Sequence, residues 1–223
     1  TEIEGLNSPP SAGTTADMIL REDGDGAYEI YDLGTNAILA AYPLTGVDPT
    51  WRVAGLGDFF GSDTSDMLLR NAATGAFQIE DIGNNNVTGT AAIGQVGLEW
   101  QVAGFGDFSS RSSETDMLMR NGNTGQFEIY DISNNAITSA APMGQVGLEW
   151  LVAGFGDFST RPGESDMLMR NSHTGAFELY DISNNQIISA APMGQVGLEW
   201  SVAGFGDFSG NANETDMLMR NNN

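Results

Sequence analysis

One phrase occurs five times along this chain. Asp-Met-x-x-Arg begins at Asp17, Asp66, Asp116, Asp166 and Asp216, at spacings of 49, 50, 50 and 50 residues. A fixed period of that length implies stacked supersecondary units, because a single unit cannot bury its apolar surface alone. The third and fourth copies are close to identical from Asp116 to Trp150 and from Asp166 to Trp200. The first copy diverges. Tyr28 stands where the others have Phe, and residues 46–51 read GVDPTW against GQVGLEW in the later copies.

Each unit predicts four short strands. Trp100–Phe108 (WQVAGFGDF) is rich in glycine and small residues, as expected where strands crowd together. Asp116–Arg120 is a short apolar run with Met117 and Met119 on one face. Phe127–Ile132 sets Phe127, Ile129 and Asp131 against Glu128, Tyr130 and Ile132, a period of two. Ala136–Ala141 is a weaker fourth strand. Asn123-Thr124-Gly125 and Ser133-Asn134-Asn135 read as tight turns, since these residues tolerate positive φ. No stretch shows a helical period. Four strands in about 50 residues is the pattern of a propeller blade. The expected fold is all-β, a β-propeller-like array forming one repeat domain over residues 1–223. Its units fall at approximately 1–50, 51–99, 100–149 and 150–199, followed by a half unit at 200–223. Residues 2–8 align with the start of a unit and are expected as a degenerate first strand.

That strand count closes neither a four-bladed nor a five-bladed ring. Uncovered sheet edges invite pairing with another copy, so a homo-oligomer, strand exchange or a fragment of a longer array is expected.

Composition narrows the partners. Hydrophobic residues make up 40% of the chain, enough for a packed core. The formal charge is 8 − 30 = −22, and all eight basic residues are arginine. Such a surface repels phosphate backbones and anionic membranes, so nucleic acid is not an expected partner. No apolar run approaches the roughly 20 residues of a membrane helix, and no membrane insertion is expected. The absence of cysteine excludes thiol chemistry and disulfides. Acidic, lysine-free and cysteine-free composition suits a bacterial protein that works outside the cell or on its surface.

Trp-x-Val-Ala-Gly-Phe-Gly-Asp-Phe, a polar loop, and then Asp-Met-Leu-x-Arg together resemble the FG-GAP/VCBS-type repeats of bacterial surface proteins and integrin-like propellers. The resemblance covers almost the whole chain. It implies β-propeller blades, calcium in the loop after Gly-Asp-Phe, and a role in adhesion or carbohydrate recognition. The family's loop alternates oxygen ligands around a hard cation, much as an EF-hand does. Asp107 and Asp116 match its first and last positions here, as do Asp157 and Asp166, but Arg111 and Arg161 stand at an interior ligand position. A guanidinium there would repel calcium and pair with the flanking carboxylates, so these two arginines are expected to replace the metal. Two loops keep more oxygen. Asp58, Ser62, Asp63 and Asp66 form one candidate calcium set, although Phe60 interrupts it; Asp207, Asn211 and Asp216, with Ser209 and Glu214 nearby, form the other. Calcium is therefore expected in a minority of loops at most. Asp23-Gly24-Asp25-Gly26 reads as an acidic hairpin turn rather than a metal site.

Trp51, Trp100, Trp150 and Trp200 recur once per unit. They are candidate sugar-stacking residues, with burial between neighbouring blades as the structural alternative. Arg70, Arg120, Arg170 and Arg220 are expected to pair with a neighbouring Asp. Glu128 with Asp131, and Glu178 with Asp181, sit at odd spacing on one strand, which favours a solvated strand over paired catalytic carboxylates. His173, the sole histidine, lies in a turn, and no nucleophile elbow is present. No constellation converges on a reaction, so the chain is not expected to be an enzyme. Two functional classes remain. One is a multivalent binding module, lectin-like or adhesive, for a glycan or cell-surface ligand. The other is a structural, self-assembling scaffold whose partner is another copy of itself.

Overall fold

A computed structural model describes residues 16–45, 47–61, 65–109, 111, 115–159, 165–211 and 214–223. The described residues form strands and turns only. The chain divides into two compact units, Thr1–Leu98 with Ser133–Ala136, and Glu99–Ile132 with Ile137–Asn223.

The first unit holds two antiparallel meanders. One runs β1 (Ala16–Arg21), β2 (Tyr28–Gly34), β3 (Ala37–Leu44); the other runs β4 (Trp51–Gly57), β5 (Asp66–Asn71), β6 (Ala76–Gly83), β7 (Asn86–Gln95). The expected strand at residues 2–8 lies outside the described residues. Tyr28, Ile30 and Leu44 of the first sheet meet Met67, Leu69 and Ile82 of the second, with Trp51 and Val53 at the margin. Polar bonds accompany the packing within this unit. Asn85 Nδ2 donates to Asp32 at 2.8 Å. Asn135, in the Ser133–Ala136 turn, donates its Nδ2 to both Asp81 oxygens at 2.8 and 3.0 Å and its N–H to the Phe59 carbonyl at 3.0 Å.

The second unit repeats the scheme. Its sheets are β8 (Trp100–Gly106), β9 (Asp116–Asn121), β10 (Gln126–Ser133), β11 (Ala136–Gln145); then β12 (Trp150–Gly156), β13 (Asp166–Asn171), β14 (Ala176–Ser183), β15 (Gln186–Gln195); and the pair β16 (Trp200–Gly206), β17 (Asp216–Asn221). Phe108, Leu118, Phe127, Ile129 and Met143 pack against Met167, Met169 and Ile182 of the next sheet. Phe108 meets Phe155 edge to face at 5.5 Å, and Phe158 meets Phe205 likewise at 5.3 Å. A glycine makes each of these approaches possible. A Cβ on Gly104 would lie 2.1 Å from the Phe155 ring, and one on Gly154 would lie 2.2 Å from Phe205. Among the described residues, no strand pairing joins one of the five sheets to another.

The turn chemistry follows the sequence. Asn84-Asn85, Asn134-Asn135 and Asn184-Asn185 all take φ between 48° and 61°, the left-handed pair of a two-residue hairpin turn. The Oδ1 atoms of Asn71, Asn121 and Asn171 accept two backbone N–H groups each in the turn that follows. Gly125, at φ 76°, passes so near the Val146 carbonyl that a Cβ would lie 2.0 Å from its oxygen.

Asp116, Met117, Leu118 and Met119 of β9 are all buried. One expectation changes: Asp131, expected on a solvated strand, is 1% exposed. Its Oδ1 accepts Asn185 Nδ2 at 2.7 Å, while the Asn185 N–H donates to the Phe108 carbonyl at 2.8 Å. The latch that joins two sheets is thus a buried carboxylate holding a turn asparagine. Asn185→Gly keeps the left-handed turn but removes the amide, leaving a buried charge short of a donor. The expected loss is about 1–3 kcal/mol, read as a lower urea midpoint at unchanged slope.

Candidate functional site

The aspartate that closes each loop is a clip for backbone amides. Asp116 Oδ2 accepts the N–H groups of Phe108 and Ser109, both at 2.7 Å. Asp166 holds Phe158 and Ser159 in the same way at 3.1 and 2.9 Å, and its Oδ1 accepts the Ile182 N–H at 3.2 Å. Asp66 holds Phe59, Phe60 and Ile82, and Asp216 holds Phe208 and Ser209. The last residue of the expected calcium loop therefore organises the loop backbone and the strand behind it. In the first copy, Pro9 and Pro10 stand at the matching spacing from Asp17, and proline has no N–H to give.

The two candidate calcium sets fare differently. Ser62 and Asp63 lie outside the described residues; of that set, Asp66 is committed to its three amides and Asp58 is half-buried beside the clip. In the last loop, Asp207 Oδ1 accepts the Gly210 N–H at 2.7 Å. Glu214 Oε1 accepts the Ser209 hydroxyl at 2.6 Å and Asn211 Nδ2 at 2.8 Å, which lowers its pKa. The oxygens a cation would need face donors of their own loop, so a bound calcium would have to displace those hydrogen bonds. Among the described residues no three acidic, histidine or cysteine side chains converge.

Arg111 reaches a carboxylate beyond its own loop, Asp131 Oδ2 on β10, at 3.8 Å. Arg161 lies outside the described residues. Arg120 and Arg170, expected to pair with a neighbouring Asp, bond to carbonyls instead. Arg120 stacks over Phe127 at 5.1 Å, and its guanidinium donates to the Val146, Gly147 and Trp150 carbonyls at 3.3, 2.8 and 2.5 Å. Arg170 repeats this over Phe177, bonding to Val196, Gly197 and Trp200. Arg70 lies over Phe77 and bonds to Val96 and Gly97. Each arginine ties its strand to the Gly-Gln-Val-Gly-Leu-Glu-Trp segment that leads into the following strand.

That segment carries a feature not singled out from the sequence. Trp51 and Trp150 pack against the cores, Trp100 is half-buried, and Trp200 is exposed. Just before the last three tryptophans, Leu98, Leu148 and Leu198 are exposed at 52, 48 and 51%, each followed by an exposed Glu99, Glu149 or Glu199. The backbone beneath them is fixed: the carbonyls of Glu99, Glu149 and Glu199 accept the N–H groups of Gly122, Ser172 and Asn222 at 2.7, 2.7 and 2.8 Å. The legible signal was an apolar residue recurring inside a polar, glycine-rich turn. Of the other candidates, His173 is an exposed turn residue. Tyr130 and Tyr180 are pushed up to about 12 by burial and by Glu128 and Glu178 beside them.

No family model matches the chain, and no curated protein sequence matches it. Among solved structures it is similar to the dihydro-heme d1 dehydrogenase NirN in complex with DHE, at 12% identity and a TM-score of 0.44. That alignment covers 86% of this chain and 43% of the other, so the chain spans less than half the length of that protein.

Burial raises the pKa of Asp66, Asp116 and Asp166, that of Asp116 from 3.8 to about 6. The folded state then holds this proton more tightly than the unfolded chain, so stability falls as pH rises from about 4 through about 6. Asp116→Asn keeps an acceptor for the two amides and removes the titration. Thermal melting from pH 4 to pH 7 is expected to decline less steeply in this variant than in the parent.

Proposed function

We propose that the chain is a non-catalytic multivalent binding module, lectin-like or adhesive, working outside the cell and built of propeller-type blades. The observation that carries this reading is the exposed Leu-Glu pair beside a tryptophan, repeated on a fixed backbone at 50-residue steps through Leu98, Leu148 and Leu198. An apolar contact flanked by a carboxylate suits a neutral ligand with hydroxyl donors, such as a glycan, or a cationic surface. Near-identical sites on one chain multiply weak contacts through avidity.

Glycan arrays probed with the 223-residue chain test the reading. Defined sugars are expected to bind, and a calcium chelator is expected to leave binding intact. Replacing Leu98, Leu148 and Leu198 by Ser, one after another, is expected to weaken binding by about tenfold or more in total without lowering the melting temperature. Silence across the array, or binding indifferent to the triple variant, would sink it.

A further inference from the structure

Four sheets end in an outer strand, β3, β7, β11 or β15, with no strand paired beyond it among the described residues. Such an edge is a row of free backbone N–H and C=O groups, which proteins commonly guard with charge or proline. None of these four strands carries a charged side chain. Three carry a proline at one shared position. Pro43 stands opposite Glu29 and Pro192 opposite Glu178, and Pro142 falls at the same step of the repeat. In β7 the residue at that step, opposite Gln78, is Ala92. Of the four outer edges, β7 is the unguarded one.

The prolines also show which backbone groups face outward. A proline nitrogen has no hydrogen to give the strand inside it, so at this position the nitrogen points to the open edge. At Ala92 the same nitrogen carries a hydrogen, and by the two-residue period of a strand the N–H and C=O of Thr90 point the same way. We propose that β7 pairs with β7 of a second copy of this chain, antiparallel about a twofold axis through Ala91. Thr90 of each copy then opposes Ala92 of the other, and each such pair exchanges two N–H···O=C bonds. Ala91 opposes its own counterpart, where a small side chain permits close approach. A shift of one residue sets outward groups against inward ones. A shift of two sets Ala92 against Thr88, past the irregularity in register between Asp81 and Ile82. Thr90 keeps its hydroxyl on Glu80 of its own sheet at 2.6 Å, so the pairing breaks no existing bond. Charge favours the same seam. Two copies at −22 each repel, and an uncharged strand is where their approach costs least. The product is one antiparallel sheet in the order β4-β5-β6-β7-β7-β6-β5-β4. Its interface is isologous and closes at two copies.

The inference is independent of the ligand reading, since none of these residues belongs to the Leu-Glu-Trp turns. Because the chain has no cysteine, one introduced thiol reports on one position. Ala91→Cys is expected to oxidise to a covalent dimer in mild oxidant, because the Cα atoms of a non-hydrogen-bonded pair sit about 4.5 Å apart, within disulfide reach. Ala141→Cys, half-buried like Ala91 and at the same step of the repeat but beside Pro142, is expected to stay largely monomeric. In sedimentation velocity at about 1 M salt, which cuts the screening length to about 3 Å, the unmodified chain is expected to show a concentration-dependent dimer. Ala92→Pro installs the residue that its three counterparts carry and is expected to weaken that dimer by about tenfold or more, with a circular dichroism melt near that of the parent. A chain that stays monomeric in the high micromolar range overturns the inference. So does a dimer that survives Ala92→Pro, with Ala91→Cys no faster to crosslink than Ala141→Cys. Should Ala92→Pro lower the melting temperature, the comparison of the two cysteine variants decides the matter by itself.

Discussion

Burial of the Asp-Met-Leu-Met strand on both faces is the interaction on which the structure depends. A sheet of four short strands has two faces and no interior, so no unit encloses a core by itself. The core exists only where one sheet covers the next, as Phe108, Leu118 and Phe127 are covered by Met167, Met169 and Ile182. The chain therefore has to place polar groups inside this apolar contact without leaving them unbonded. It does so at two points. The loop aspartate takes backbone amides into its carboxylate, and the strand aspartate takes the turn asparagine of the adjoining sheet. Desolvation raises the pKa of the first group, which shows that the bonds only partly offset the cost of burying its charge.

The strand plan was legible because it rests on local rules. Alternation placed β10, and paired asparagines placed the hairpin turns; the strand limits moved by only a few residues, apart from the fourth strand, which runs on to Gln145. What could not be read is what depends on the neighbouring sheet. Leu118, on the opposite face of β9 from Met117 and Met119, is covered by Met167 and Met169, which only the next sheet supplies. Asp131 looks solvated until Asn185, a full repeat later, supplies its donor.

The arginines and loop residues show the same limit at the candidate site. An arginine in so acidic a chain invites a carboxylate partner, yet Arg120 and Arg170 each bond to three carbonyls and a ring. Carbonyls are present at every residue and leave no trace in the sequence, so such a partner cannot be picked out by composition. Asp116 and Asp166 match the last position of a calcium loop, in loops where the sequence leads one to expect an arginine in the metal's place. The same spacing also brings a carboxylate over the amides of the residues after Gly-Asp, and the structure puts it to that use. Leu98, Leu148 and Leu198 were overlooked because a lone exposed leucine is ordinary; only its recurrence on a fixed turn distinguishes it.

The asparagine latch also bears on how the chain folds as it emerges from the ribosome. Asn85, Asn135 and Asn185 each reach back 53 or 54 residues, to Asp32, Asp81 and Asp131. Every latch points toward the N-terminus, so a finished sheet waits for a donor that arrives with the next length of nascent chain. Sheets are then secured in the order of synthesis, each acting as the template for the one that follows.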